Sequence, residues 1–176
     1  MCGDLAKMGL SWSIFAMPLH HALAMDGGRD WIGSGRVFGR LDLAPGPSDL
    51  PTAADVVSAL RRSGGHGTPW FDIEGIDQSS ILPSCQMPAE CDAIGGHDLG
   101  EISLHRADER DTGPLAPDVR IGCVSFRKPA GAAVLSAVVE LVSVAGPTLA
   151  FCDSDLDFVV VSMEDTVDAV AGRWPW

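Results

Sequence analysis

At 176 residues and 18.5 kDa, with 46% hydrophobic side chains, the chain is long enough to bury a core and too apolar to be disordered. No uninterrupted apolar run reaches the roughly 18 residues that a membrane-spanning helix requires. A net charge of -12 repels phosphate backbones and anionic lipid, so nucleic acid and membrane are set aside as partners, and a basic protein or a cation is favoured.

The acidity is uneven: residues 1–88 hold nine acids and six bases, residues 89–176 fifteen and six. Five cysteines, Cys2, Cys85, Cys91, Cys123 and Cys152, form no dense disulfide framework. Cys123 and Cys152 sit in apolar runs where a thiol behaves as a small hydrophobe, which reads as cytoplasmic. The alternative is export: Lys7, the run MGLSWSIFAMPL and Ala22-Leu23-Ala24 fit a signal peptide cleaved after Ala24, although Asp4, Pro18 and His20-His21 fit it poorly.

Taken in order, Ser11–Leu19 is a first strand or short buried segment, with a helical turn over His20–Met25. Asp26-Gly27-Gly28 breaks the chain, and alternation predicts a strand over Gly35–Leu43. Thr52 and Asp55 form a helix-start signature ahead of a buried stripe of Val56, Val57 and Leu60, and Ser63-Gly64-Gly65 ends that helix. Trp70–Ile76 alternates again, with Glu101–His105 as its partner strand. The connection between them, Asp77–Gly100, has little periodicity, and loops of that length are commonly functional or mobile.

Asp108–Asp118, DERDTGPLAPD, reads as a charged linker joining halves 1–107 and 119–176 of a single domain, 1–176. Ile121–Phe126 is a strand. A helix follows, with Pro129 in its first turn, Val134, Val138, Leu141, Val142 and Ala145 on one face, and Gly146-Pro147 as its stop. Thr148–Cys152 and Leu156–Val161 are strands around an acidic turn. Ser162 and Asp165 cap a last helix ending at Gly172, ahead of Trp174 and Trp176. The expected fold is α+β: a mainly antiparallel sheet with helices on one face. AADVVSAL (53–60) leading to GTPWFD (67–72) echoes AAVLSAVV (132–139) leading to GPTLAFCD (146–153), as two strand-helix-strand-strand units would.

Chemistry is sparse. Asp153, Asp155 and Asp157, with Glu164, fit calcium-loop positions, but Phe158 stands where that loop needs glycine and starts a strand, so an acidic hairpin tip is expected. Cys85, Cys91, His97 and His105 are spaced more loosely than structural zinc ligands, and unligated loop residues are expected there. Gly33–Gly39 runs into a strand rather than a helix, which excludes a dinucleotide loop. Met1-Cys2-Gly3 resembles the start of the N-terminal-nucleophile glutamine amidotransferases, with Cys2 as nucleophile, but nothing downstream matches their glutamine-binding motifs. With no hydrolase, zinc-protease or phosphate-loop motif, no catalytic residue and no cofactor is assigned.

Six acids and no base between residues 153 and 168, together with Trp174 and Trp176, give the chain a character that resembles the bacterial immunity proteins of polymorphic toxins. The resemblance implies a non-enzymatic inhibitor whose acidic side chains occlude the active site of a basic toxin domain. On that reading Asp153, Asp155 and Asp157, then Asp72, Glu74 and Asp77, meet the partner. The alternative is a metal-binding protein or small enzyme using the 77–105 Cys/His loop.

Overall fold

The computed structural model describes residues 12–44, 49–89, 91, 96–108 and 113–176. Among these residues seven strands form one sheet: β1 Ser13–Pro18, β2 Arg36–Phe38, β3 His66–Pro69, β4 Asp98–Arg106, β5 Ile121–Arg127, β6 Thr148–Cys152 and β7 Asp157–Val161. Its helices, among the described residues, are α1 Leu19–Ala24, α2 Gly28–Gly33, α3 Ala53–Arg62, α4 Gly131–Ala145 and α5 Val167–Ala171.

The strand order is β2-β7-β6-β1-β5-β4-β3. Its middle is antiparallel, because β1 pairs with both β5 and β6, β4 with β5, and β6 with β7. Both edges are parallel: β2 to β7, and β3 to β4. The sheet is therefore mixed, where the sequence predicted a mainly antiparallel one. The reason lies in the connections. A hairpin reverses the chain, whereas β1 reaches β2 through α1 and α2, and β3 reaches β4 through the excursion 70–97, each returning the chain to its starting end.

The order β6-β1-β5-β4, with α3 and α4, is a double split β-α-β arrangement. The internal echo falls on α3 and α4, its two helices. It does not extend to the strands: GTPWFD begins in edge strand β3, while GPTLAFCD is β6, beside β1.

Each helix forms for a local reason. Thr52 and Asp55 make the capping box on α3, with the Thr52 hydroxyl accepting from the Asp55 amide at 3.1 Å. In α4 the apolar stripe is continuous: Val134, Leu135, Val138, Leu141 and Val142 are buried, and Gly146 caps it at φ 70°. The cap of α5 is Thr166 rather than Ser162. Helices cover both faces, not one. α3, α4 and α5 bury the face carrying Ile14, Val124, Phe126 and Ile102. α1 and α2 place Leu19, Leu23 and Ile32 against Leu149, Phe158 and Val160 on the other.

Three further expectations change. The strand expected over Gly35–Leu43 is only Arg36–Phe38. Trp70–Ile76 is irregular: the Trp70 amide still donates to the Ile102 carbonyl of β4 at 2.8 Å, and beyond it the segment makes an isolated bridge of Ile73 with Leu115. The described part of the 108–118 linker is tied down, with Leu115 buried and the Pro117 carbonyl accepting from the Ala54 amide at 3.0 Å. Ser13–Ala24, which the sequence also allowed as part of an export signal, forms the central strand and α1, so cleavage after Ala24 would remove the strand joining the two sides of the sheet. Among the described residues no helix is long and apolar enough to cross a membrane.

Candidate metal centre

The β3 edge carries the one cluster of metal-ligating side chains among the described residues. α3 ends at Arg62, and the chain turns through Ser63–Gly65 into His66. Glycines flank this histidine because β3 lies very close to β4: a Cβ at Gly65 would stand 2.6 Å from Leu99 Cδ1, and one at Gly67 2.7 Å from the Gly100 carbonyl oxygen. His66 is fixed by its amide, which donates to the His97 carbonyl at 3.0 Å.

The excursion then brings two thiols back to it. Asp77 caps a short 3-10 turn, Gln78–Ser80, by accepting from the Ser79 amide at 2.8 Å. Ile81 and Leu82 follow and are buried in the main core. Arg61, at the end of α3, donates to the carbonyls of Ser80 and Ile81, the latter at 2.9 Å. With Leu82 anchored, Pro83 and Ser84 carry the chain to Cys85. The Cys91 amide closes a helical turn on the Met87 carbonyl at 3.0 Å.

His66 Nε2 lies 3.1 Å from Cys91 Sγ, and the ligating atoms of His66, Cys85 and Cys91 all lie within 4.8 Å of one another. A tetrahedral zinc ion, with Zn–S of about 2.3 Å and Zn–N of about 2.0 Å, places its ligand atoms roughly 3.5–3.8 Å apart. The cluster therefore needs only small side-chain adjustments to close on an ion, and two thiolates with an imidazole suit zinc over magnesium or calcium. The His97 backbone hydrogen bond favours the Cys91 thiolate. Desolvation, the neighbouring Cys85 and the Asp98 carboxylate outweigh it and raise the Cys91 pKa above its ordinary value.

Two of the four residues singled out by spacing thus converge, and two do not. His97 contributes its backbone, while its side chain is exposed. His105 stands about 20 Å further along β4, with Nε2 2.9 Å from Ser125 Oγ. The candidate ligand that spacing missed is His66, whose neighbours in the cluster are far away in sequence. Its one sequence signal is its setting, Gly64-Gly65-His66-Gly67, directly after a helix terminator.

The six acidic residues fall into two separate groups. Those of the β6–β7 turn are engaged within the protein. Asp153 accepts from the Ser13 amide at 3.0 Å, Asp155 from the Asp157 amide at 3.1 Å, and Asp157 from Arg36 Nε at 2.9 Å. The turn is a hairpin tip, and Phe158 is buried in β7. Trp174 and Trp176 meet edge to face at 4.9 Å, Trp174 donating to the Gly131 carbonyl and Trp176 to Asp155. Asp72, Glu74 and Asp77 are exposed beyond β3. Four strand spacings separate β6 from β3, about 19 Å, so the two groups form no single patch. Met1-Cys2-Gly3 lies outside the described residues.

Fold and cluster together define an α+β protein with a His-Cys-Cys constellation on one edge of a mixed sheet. Comparison with protein-family models, curated proteins and solved structures found no match.

Proposed function

We propose that the chain is a zinc-binding protein in which one Zn2+ at His66, Cys85 and Cys91 fastens the 70–97 excursion to the β3 edge. The observation that supports it is the convergence of three soft ligand atoms within 4.8 Å from positions far apart in sequence. An ion there adds its binding free energy to the folded state, because the unfolded chain holds no such site. Elemental analysis after chelator treatment and reloading is expected to find one zinc per chain, with the stoichiometry lost in His66→Asn and Cys91→Ser. Zinc content indifferent to both substitutions would sink the reading.

A second reading keeps the inhibitor role, and the exposure of Asp72, Glu74 and Asp77 on the same excursion favours it. There the excursion presents acids to a basic protein partner, as the resemblance to immunity proteins implies. Charge reversal at Asp72 and Glu74 is expected to abolish salt-sensitive binding of that partner; reversal of Asp77, Asp153 or Asp155 also perturbs contacts inside the protein.

A further inference from the structure

Two of the three proposed ligands are thiols that the excursion holds within 4.8 Å of each other. Both are half-buried and neither is in a disulfide. Cys85 lies in irregular chain and Cys91 on a single turn, so side-chain rotation with a small loop shift brings the sulfurs to the roughly 2.05 Å of a disulfide. A sulfur in that bond carries no charge and offers a zinc ion almost nothing. The same two atoms therefore serve one of two states, metal-bound or cross-linked.

We propose that Cys85 and Cys91 are a peroxide-responsive dithiol whose oxidation ejects the zinc ion, so that the site is loaded only when reduced. The inference rests on the zinc reading above. With hydrogen peroxide as oxidant, one thiolate attacks the O–O bond, forming a sulfenic acid and releasing hydroxide. The second thiolate attacks the sulfenic sulfur and displaces its hydroxyl as a second hydroxide. The sulfurs together lose two electrons, the peroxide oxygens gain them, and two protons from solvent complete two waters. Zn2+ leaves as the aqua ion, because His66 alone cannot hold it. Cys123 supplies an internal contrast of degree: it lies within β5, where burial pushes its thiol up to about 12, leaving less of it as the reactive thiolate than at an ordinary cysteine.

The test uses the full chain loaded with one equivalent of Zn2+, its loading measured before any oxidant is added. Hydrogen peroxide is then titrated in while a chromogenic chelator reports free zinc and peptide mapping locates cross-links. The expected result is release of one zinc per chain in step with a Cys85–Cys91 disulfide, reversed by a dithiol reductant, with Cys123 unmodified. His66→Asn is expected to lose zinc affinity yet still form the cross-link. Zinc retained after the cross-link has formed, or released without it, overturns the inference and leaves the zinc reading standing. A chain that takes up no zinc before peroxide removes the zinc reading itself, and the inference with it.

Discussion

The two edges of the sheet solve one problem by different means. Both β2 and β3 are short strands joined in parallel, and each needs something beyond its ladder to hold it. At β2 the means are permanent. Trp31 meets Phe151 and Phe158 edge to face at 4.8 and 4.9 Å, and Arg36 pairs with Asp157. At β3 they are in part conditional on the proposed zinc ion. The long excursion beyond it is anchored by Ile81, Leu82 and Arg61, but its far end returns to His66 through two thiols whose grip depends on what occupies them. One edge is closed by packing; the other, on the zinc proposal, is closed by an ion.

The largest effect should come from breaking the packed edge. Phe158→Ala removes a fully buried ring and is expected to cost about 3–5 kcal/mol in urea unfolding, with or without zinc. Next is the ligand edge. Free zinc at a hundred times its dissociation constant is expected to stabilise the wild type by about 2.7 kcal/mol, seen as a rise in Tm, and to leave Cys91→Ser unmoved. A Tm rise of equal size in Cys91→Ser would erase the distinction between the edges.

Thr52→Ala touches neither edge and calibrates both. Loss of the α3 cap is expected to cost about 1 kcal/mol. The same cap gives a pH signature. The Thr52 side-chain and backbone hydrogen bonds hold the Asp55 carboxyl below its ordinary 3.8. A carboxylate depressed on folding stabilises above its unfolded pKa, and that contribution fades as pH falls through the folded value. The stability gap between wild type and Asp55→Asn should therefore be full above about pH 4 and close below it, as urea midpoints would register. Smallest is Arg36→Ala. Its side chain is 66% exposed, so the Asp157 pair should be worth less than about 1 kcal/mol and should weaken with salt.

What could be read from the chain was whatever its local chemistry determines. α3 announced itself through Thr52 and Asp55, α4 through an apolar stripe ending at Gly146, and the β6–β7 hairpin through the run Phe158–Val161. Alternation misled at Trp70–Ile76, where Ile73 points inward to Leu115 but no neighbouring strand runs alongside. Proline and charge made 108–118 look like a free linker, because a pattern of residue types cannot show that Leu115 has a buried place to go. The cluster was half legible for a similar reason. Spacing counts along the chain, and it kept Cys85 with Cys91, but His66 joins them only through the pairing of β3 with β4.

The position of β1 has a consequence for how the molecule is made. Ser13 faces Arg127 and Pro18 faces Thr148, so β1, the earliest of the described strands in chain order, finds both neighbours only when residues 121–152 have followed. At about 5–20 residues per second that wait is roughly 7–27 s. Until then Ile14, Phe15 and Met17 are an unclaimed apolar strand, open to any other nascent edge. Synthesis in the cell should thus depend on chaperone supply more than the finished protein's stability would suggest, and refolding from denaturant should be slow for the chain's size.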